Sequence, residues 1–166
     1  MNYIFDTSST ILLFEKCDLR KQLLEFSQTN NLFIPSRVME EYVKGENVKP
    51  SDVIELKKVF SVIKPTLQSV LLPYFNYDSS SGEIWVISYT LKNSECCCVI
   101  DEEFGRTIAT LFETKLTGAI GIIKELRKQN LLSDDDLRQI RVNVRESGFY
   151  LSKKLLKELN ELGSSH

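Results

Sequence analysis

The chain has 166 residues, 42% hydrophobic and 27% charged, with a formal net charge of −2. That length favours one domain with a substantial core, and the composition is ordinary for a globular protein. The charge balance excludes a broadly basic nucleic-acid surface, so any polyanion must be met by a local group of Lys and Arg.

Met1 to Phe5 reads as a first strand (about 3–5) that runs straight into Asp6-Thr7-Ser8. Helical periodicity then covers about 9–15 and 19–29. Leu32-Phe33-Ile34 is a second strand ended by Pro35, and Ser36 reads as the N-cap of a helix through Val43. Gly45 and Asn47 break the pattern, Pro50-Ser51 opens a helix over about 52–59, and residues 59–63 read as a third strand. Residues 66–80, with Pro73, Asn76 and the Asp78-Ser79-Ser80-Ser81-Gly82 run, read as loop. A helix follows from Glu83 to Lys92, opened by a capping box in which Glu83 reaches back to Ser80. Cys96 to Ile100 is a fourth strand that ends on Asp101, with a helix over 102–112. Lys115-Leu116-Thr117 is a short strand, and Thr117-Gly118-Ala119-Ile120-Gly121 is a tight turn into a helix to about Asn130. Ser133 and Asp136 are spaced as a capping box, Ser152 caps a last helix from Lys153 to Leu162, and the Gly-Ser-Ser-His tail is expected to be disordered.

Strands alternating with helices predict an α/β fold: a three-layer α/β/α sandwich around a central, mainly parallel sheet. No apolar run is long enough for a membrane span. The N-terminus carries no charged leader with an apolar core and cleavage site, so a cytoplasmic protein is expected.

Cys17, Cys96, Cys97 and Cys98 are the only cysteines. Three in a row make a poor disulfide framework and lack the Cys-x-x-Cys spacing of zinc sites, so they read as small buried strand residues. The one histidine is His166, in the tail. Ser-His-Asp, Cys-His, His-zinc and paired-His chemistry all need an internal imidazole. For a hydrolase, the main option left is carboxylates with a hard metal.

The acids near strand ends and helix starts are Asp6, Glu40, Glu41, Glu83 and Asp101. In a parallel sheet such positions gather at one edge. Clustered carboxylates repel one another, and Mg²⁺ or Mn²⁺ with oxygen ligands removes that conflict. Each acid also has a structural reading. Asp6 and Asp101 sit where helix caps sit, Glu83 belongs to a capping box, and Glu40 and Glu41 suit a solvated helix face.

In their order, Phe5-Asp6-Thr7-Ser8, Pro35-Ser36-Arg37-Val38-Met39-Glu40-Glu41, Ser81-Gly82-Glu83, Val99-Ile100-Asp101 with Arg106 and Ala109, and Leu116-Thr117-Gly118-Ala119-Ile120-Gly121 resemble a PIN-domain nuclease of the VapC-like and stand-alone prokaryotic kind. The resemblance spans roughly 1–130, leaving 131–166 as C-terminal helices packed on the same domain. It implies metal ligation by Asp6, Glu41, Glu83 and Asp101, with Glu83 where many members carry Asp, and Ser8 orienting a carboxylate or a water. It implies an endoribonuclease using Mg or Mn on RNA, a homodimer, and for toxin members a small antitoxin partner. Arg106 is a candidate for substrate phosphate, and Trp85 reads as core or dimer interface rather than as a base-stacking platform. The rivals are an inactive PIN-like binding or scaffold module and a phosphoaspartate receiver, the latter weakened because Lys115 starts its strand.

Overall fold

The computed structural model describes residues 1–148 and 152–162. The Gly-Ser-Ser-His tail and its histidine lie outside the described residues. Five strands form one parallel sheet: β1 (Asn2–Phe5), β2 (Asn31–Pro35), β3 (Ser61–Ile63), β4 (Cys96–Val99) and β5 (Leu116–Thr117), in the order β3-β2-β1-β4-β5. Asn2 pairs with Asn31 on one side and Cys96 on the other, so β1 is the central strand.

Strands covered on both faces need apolar residues at every position rather than at alternate ones. This chain supplies them. Tyr3, Phe5, Leu32, Ile34, Cys97 and Val99 face one core, while Ile4, Cys96, Cys98 and Ile100 face the other. All four cysteines are buried free thiols, which suits small strand residues.

The first core is covered by α1 (Thr7–Ile11), its continuation as a π-turn (Leu12–Lys16), α2 (Arg20–Phe26), α3 (Ser36–Val43), α4 (Pro50–Val59), α7 (Ala119–Lys128), α8 (Asp134–Glu146) and α9 (Lys153–Glu161). Leu137, Ile140, Val144 and Leu159 bury in that same core, so α8 and α9 pack on it. The second core lies under α5 (Gly82–Lys92) and α6 (Glu103–Leu111). The result is an α/β/α sandwich. No helix among the described residues is long and apolar enough to cross a membrane.

Three expectations change. Residues 66–80 are not all loop: Ser69–Phe75 forms a 3-10 helix that buries Leu71 and Phe75 in the second core. The tighter turn tolerates Pro73, and Asn76 closes it in the left-handed region at φ 52°. The run 9–15 starts at Thr7 and widens into the π-turn, where Cys17 N–H reaches Leu12 O at 2.8 Å. Ser36 is not a cap. Pro35 holds the cap position in extended backbone, and Ser36 is the first helical residue.

The Ser133–Asp136 capping box forms as expected, with Ser133 N–H 2.7 Å from Asp136 Oδ2 and Asp136 N–H 3.1 Å from Ser133 Oγ.

Candidate metal centre

In an open parallel sheet the crevice forms where connections leave a central strand in opposite directions. Here that place is between β1 and β4. Asp6 follows β1 directly, and its N–H donates to Val99 O at 3.1 Å. Asp101 follows Ile100 beyond β4. The two acids meet through one residue, Ser9. Its N–H donates to Asp6 Oδ1 at 2.8 Å, which makes Asp6 the cap of α1. Its hydroxyl is 2.9 Å from Asp101 Oδ2 and 3.1 Å from Val99 O. Asp101 Oδ1 also accepts from Ala119 N–H at 2.9 Å. The tight turn at 117–121 thus directs a backbone N–H to a carboxylate of the chain itself.

Three glutamates complete the wall. A cleft of about 160 Å³ is lined by Asp6, Thr7, Ser8, Glu41, Ser81, Gly82, Glu83 and Glu102. Glu41 comes from the last half of α3, where Thr7 donates its hydroxyl to Oε2 and Arg37 Nε stands 3.4 Å from Oε1. Glu83 opens α5, capped by Ser81, whose Oγ accepts from Glu83 N–H at 3.3 Å. The expected link from Glu83 to Ser80 does not form, because Ser80 turns to Asp78, with its Oγ 2.7 Å from Oδ2. Glu83 instead lies against Gly105 of α6, where a Cβ would sit 2.9 Å from the Glu83 carboxyl carbon.

Burial sets the electrostatics. Asp6 is 2% exposed, and desolvation pushes its carboxyl up to about 8. The Ser9 hydrogen bonds oppose that rise, and the Asp101 and Glu83 charges add to it. Glu83 is pushed up to about 7, by burial first and then by Glu102, against the Ser81 bond and with Glu41 adding. Burial also raises Asp101, resisted by Ala119 N–H, Ser9 and Arg106. Three neighbouring carboxyls with raised proton affinity are groups that a divalent cation would stabilise in the ionised form. The donor set is all oxygen, as Mg²⁺ and Mn²⁺ require. The residues therefore fit such an ion in chemistry, with Asp101 lying outside the lining of the cleft itself. As they stand, no three Asp, Glu, His or Cys side chains among the described residues are gathered closely enough to grip one.

Ser8 donates its hydroxyl to Glu102 Oε1 at 2.9 Å, while the phase of α1 turns Ser9, one residue on, toward β4. Arg106 donates to Ile100 O at 2.7 Å and Thr117 O at 3.2 Å, so its guanidinium ties the ends of β4 and β5 together. Trp85 packs partly on the second core, and the rest of it lines a second cavity. Thr7, Ser9 and Glu102 were not singled out in the sequence. The signals available were the hydroxyl run after Asp6 and a second acid directly after Asp101.

A family model described as a PIN domain matches residues 2–164, and so takes in the C-terminal helices as well as the 1–130 stretch that carries the resemblance. No curated protein and no solved structure matches the chain.

Proposed function

Because the chain belongs to the PIN-domain family, whose members are generally nucleases, we propose that it is an Mg- or Mn-dependent endoribonuclease with Asp6, Glu41, Glu83 and Asp101 as the metal-holding set. The observation that carries this reading is the Ser9 bridge, which brings Asp6 and Asp101 together at the crevice between β1 and β4. When bound, the ion supplies charge neutralisation at a phosphoryl oxygen and lowers the pKa of an attacking water.

The chain's own residues do the rest. Ser9 and Ala119 N–H fix the two ends of the Asp101 carboxylate. Asp6 is held on one oxygen by Ser9 N–H. Thr7 holds one oxygen of Glu41. Glu102 shares the cleft and adds negative charge beside Glu83. Such fixed placement lowers the reorganisation needed to reach the transition state.

The test is cleavage of labelled single-stranded RNA with Mn²⁺ by the parent, Asp6→Asn and Asp101→Asn. Metal-dependent cleavage lost in both variants supports the enzyme. Equal cleavage by all three assigns the activity to a contaminant, and no cleavage by any supports a binding module. One observation favours that second reading: Glu41 is already engaged by Thr7 and Arg37. The family reading extends to a homodimer and, for a toxin-like role, a small inhibitory antitoxin. Sedimentation of the purified chain tests the dimer.

A further inference from the structure

A second cavity of about 370 Å³ adjoins the acidic cleft, lined by Ser36, Arg37, Glu40, Asp78, Ser79, Ser80 and Trp85. The two hollows are lined by neighbours in the chain. Glu40 lines this one and its neighbour Glu41 the cleft, while Ser80 lines this one and Ser81 the cleft.

The walls are fixed. Trp85 Nε1–H donates to Ser79 O at 2.8 Å, which sets the indole against the turn. Arg37 Nε donates to Ser80 O at 2.6 Å, and a terminal nitrogen of Arg37 stands 3.3 Å from Glu40 Oε2. Asp78 is held by Ser80 N–H at 2.8 Å. Meanwhile the Ser36 and Ser79 hydroxyls have no hydrogen-bond partner among the described residues. The cavity thus offers an aromatic wall, two uncommitted hydroxyls, the Arg37 guanidinium and two carboxylates, of which Glu40 meets Arg37 through one oxygen and keeps the other.

Resting on the nuclease reading, we propose that this cavity is the subsite for one unpaired nucleobase of the RNA, next to the phosphate to be cleaved, and that it prefers a base with an exocyclic amine. Single-stranded RNA is read by splaying bases onto aromatic side chains and hydrogen-bonding their edges. A carboxylate accepts from an amine, such as the N4 group of cytosine. Uracil presents a carbonyl at that position, which faces Glu40 with like polarity. Trp85 provides the stacking wall and Glu40 the selectivity.

Trp85 is the only tryptophan in the chain, so tryptophan fluorescence reports on this one wall residue. The full chain, kept in chelator so that nothing is cleaved, is titrated with short oligocytidylate and with oligouridylate. Oligocytidylate should quench Trp85 and bind about tenfold more tightly. Glu40, on the exposed side of α3, is then replaced: Glu40→Gln should bring the two affinities within about twofold of each other. Trp85→Phe, followed by anisotropy of labelled oligonucleotide, should weaken binding of both while keeping a ring in place.

Absence of quenching, or a preference that Glu40→Gln leaves untouched, overturns the subsite. A chain that cleaves RNA with Mn²⁺ but shows no quenching keeps the nuclease and loses the subsite. A chain that quenches selectively but never cleaves keeps the subsite on a binding module.

Discussion

Gly118 stands so close to Asp101 that a Cβ on it would lie 2.5 Å from Asp101 Oδ1. The absent side chain is what lets the turn before α7 present Ala119 N–H to that carboxylate at 2.9 Å. Gly118 has extended backbone, φ −134°, so its value lies in space rather than in conformational freedom.

Gly118→Ala should therefore shift the Asp101 carboxylate without unfolding the chain, because what must yield is a side-chain end. Cleavage should fall about 10²-fold, in line with the cost of an ångström-scale misplacement. The melting temperature should drop only a few degrees, corresponding to about 1 kcal/mol. Parallel kinetics and thermal melts check this. A large loss of stability would move the effect from the site to the fold.

Stability in chelator should fall as pH rises. Asp6 is raised from 3.8 to about 8, so between those values the native chain keeps a proton that the unfolded chain has lost. Where the native state binds more protons, unfolding becomes easier with increasing pH, and the loss levels off above the folded value. Glu83 adds in the same sense up to about 7. Asp6→Asn retains a good helix cap and removes the titration. It should flatten the slope of melting temperature between pH 5 and 8 and be more stable than the parent at pH 8 by about 2 kcal/mol, a discounted share of roughly 1.4 kcal/mol per pKa unit. Mn²⁺ should stabilise the parent more at pH 8 than at pH 6, since ligands bind as carboxylates.

Adjacent serines should behave differently. Ser9 is fully buried and bridges Asp101 and Val99, so Ser9→Ala should cost about 1–2 kcal/mol and most of the cleavage rate. Ser8 bonds Glu102 at an exposed position, so Ser8→Ala should stay within about 0.5 kcal/mol of the parent. Urea melts of the two variants side by side decide it.

Arg106→Gln loses the two bonds to Ile100 O and Thr117 O. As a positioning change behind Asp101 it should lower kcat with KM held within about twofold. A raised KM with kcat intact would instead place the guanidinium on substrate phosphate.

Much of this was readable in the residues themselves. Apolar runs such as Tyr3-Ile4-Phe5 and Cys96 to Val99 announce strands buried on both faces, and an acid at the end of each marks the crevice edge. The choice among Thr7, Ser8 and Ser9 was not readable, because the three have similar chemistry. It depends on the rotation of α1 against β4, which only the packed sheet determines. The 3-10 helix at 69–75 was hidden for a related reason. Pro73 and Asn76 signal a break in any α-helix, and only burial of Leu71 and Phe75 against the second core stabilises the tighter turn. Glu102 resembled an ordinary first-turn acid until its position beside Ser8 and Glu83 was seen.

The order β3-β2-β1-β4-β5 also has a bearing on biosynthesis. A ribosome releases β1 first, yet Asp101 follows only after β4, and the turn that steadies it comes later still, at 117–121. Until β4 is released, the side of β1 that it covers is open and Ser9 has no Asp101 to reach. A nascent chain of this topology therefore completes the Asp6–Ser9–Asp101 bridge, and the Ala119 contact that steadies it, only once translation has passed residue 119.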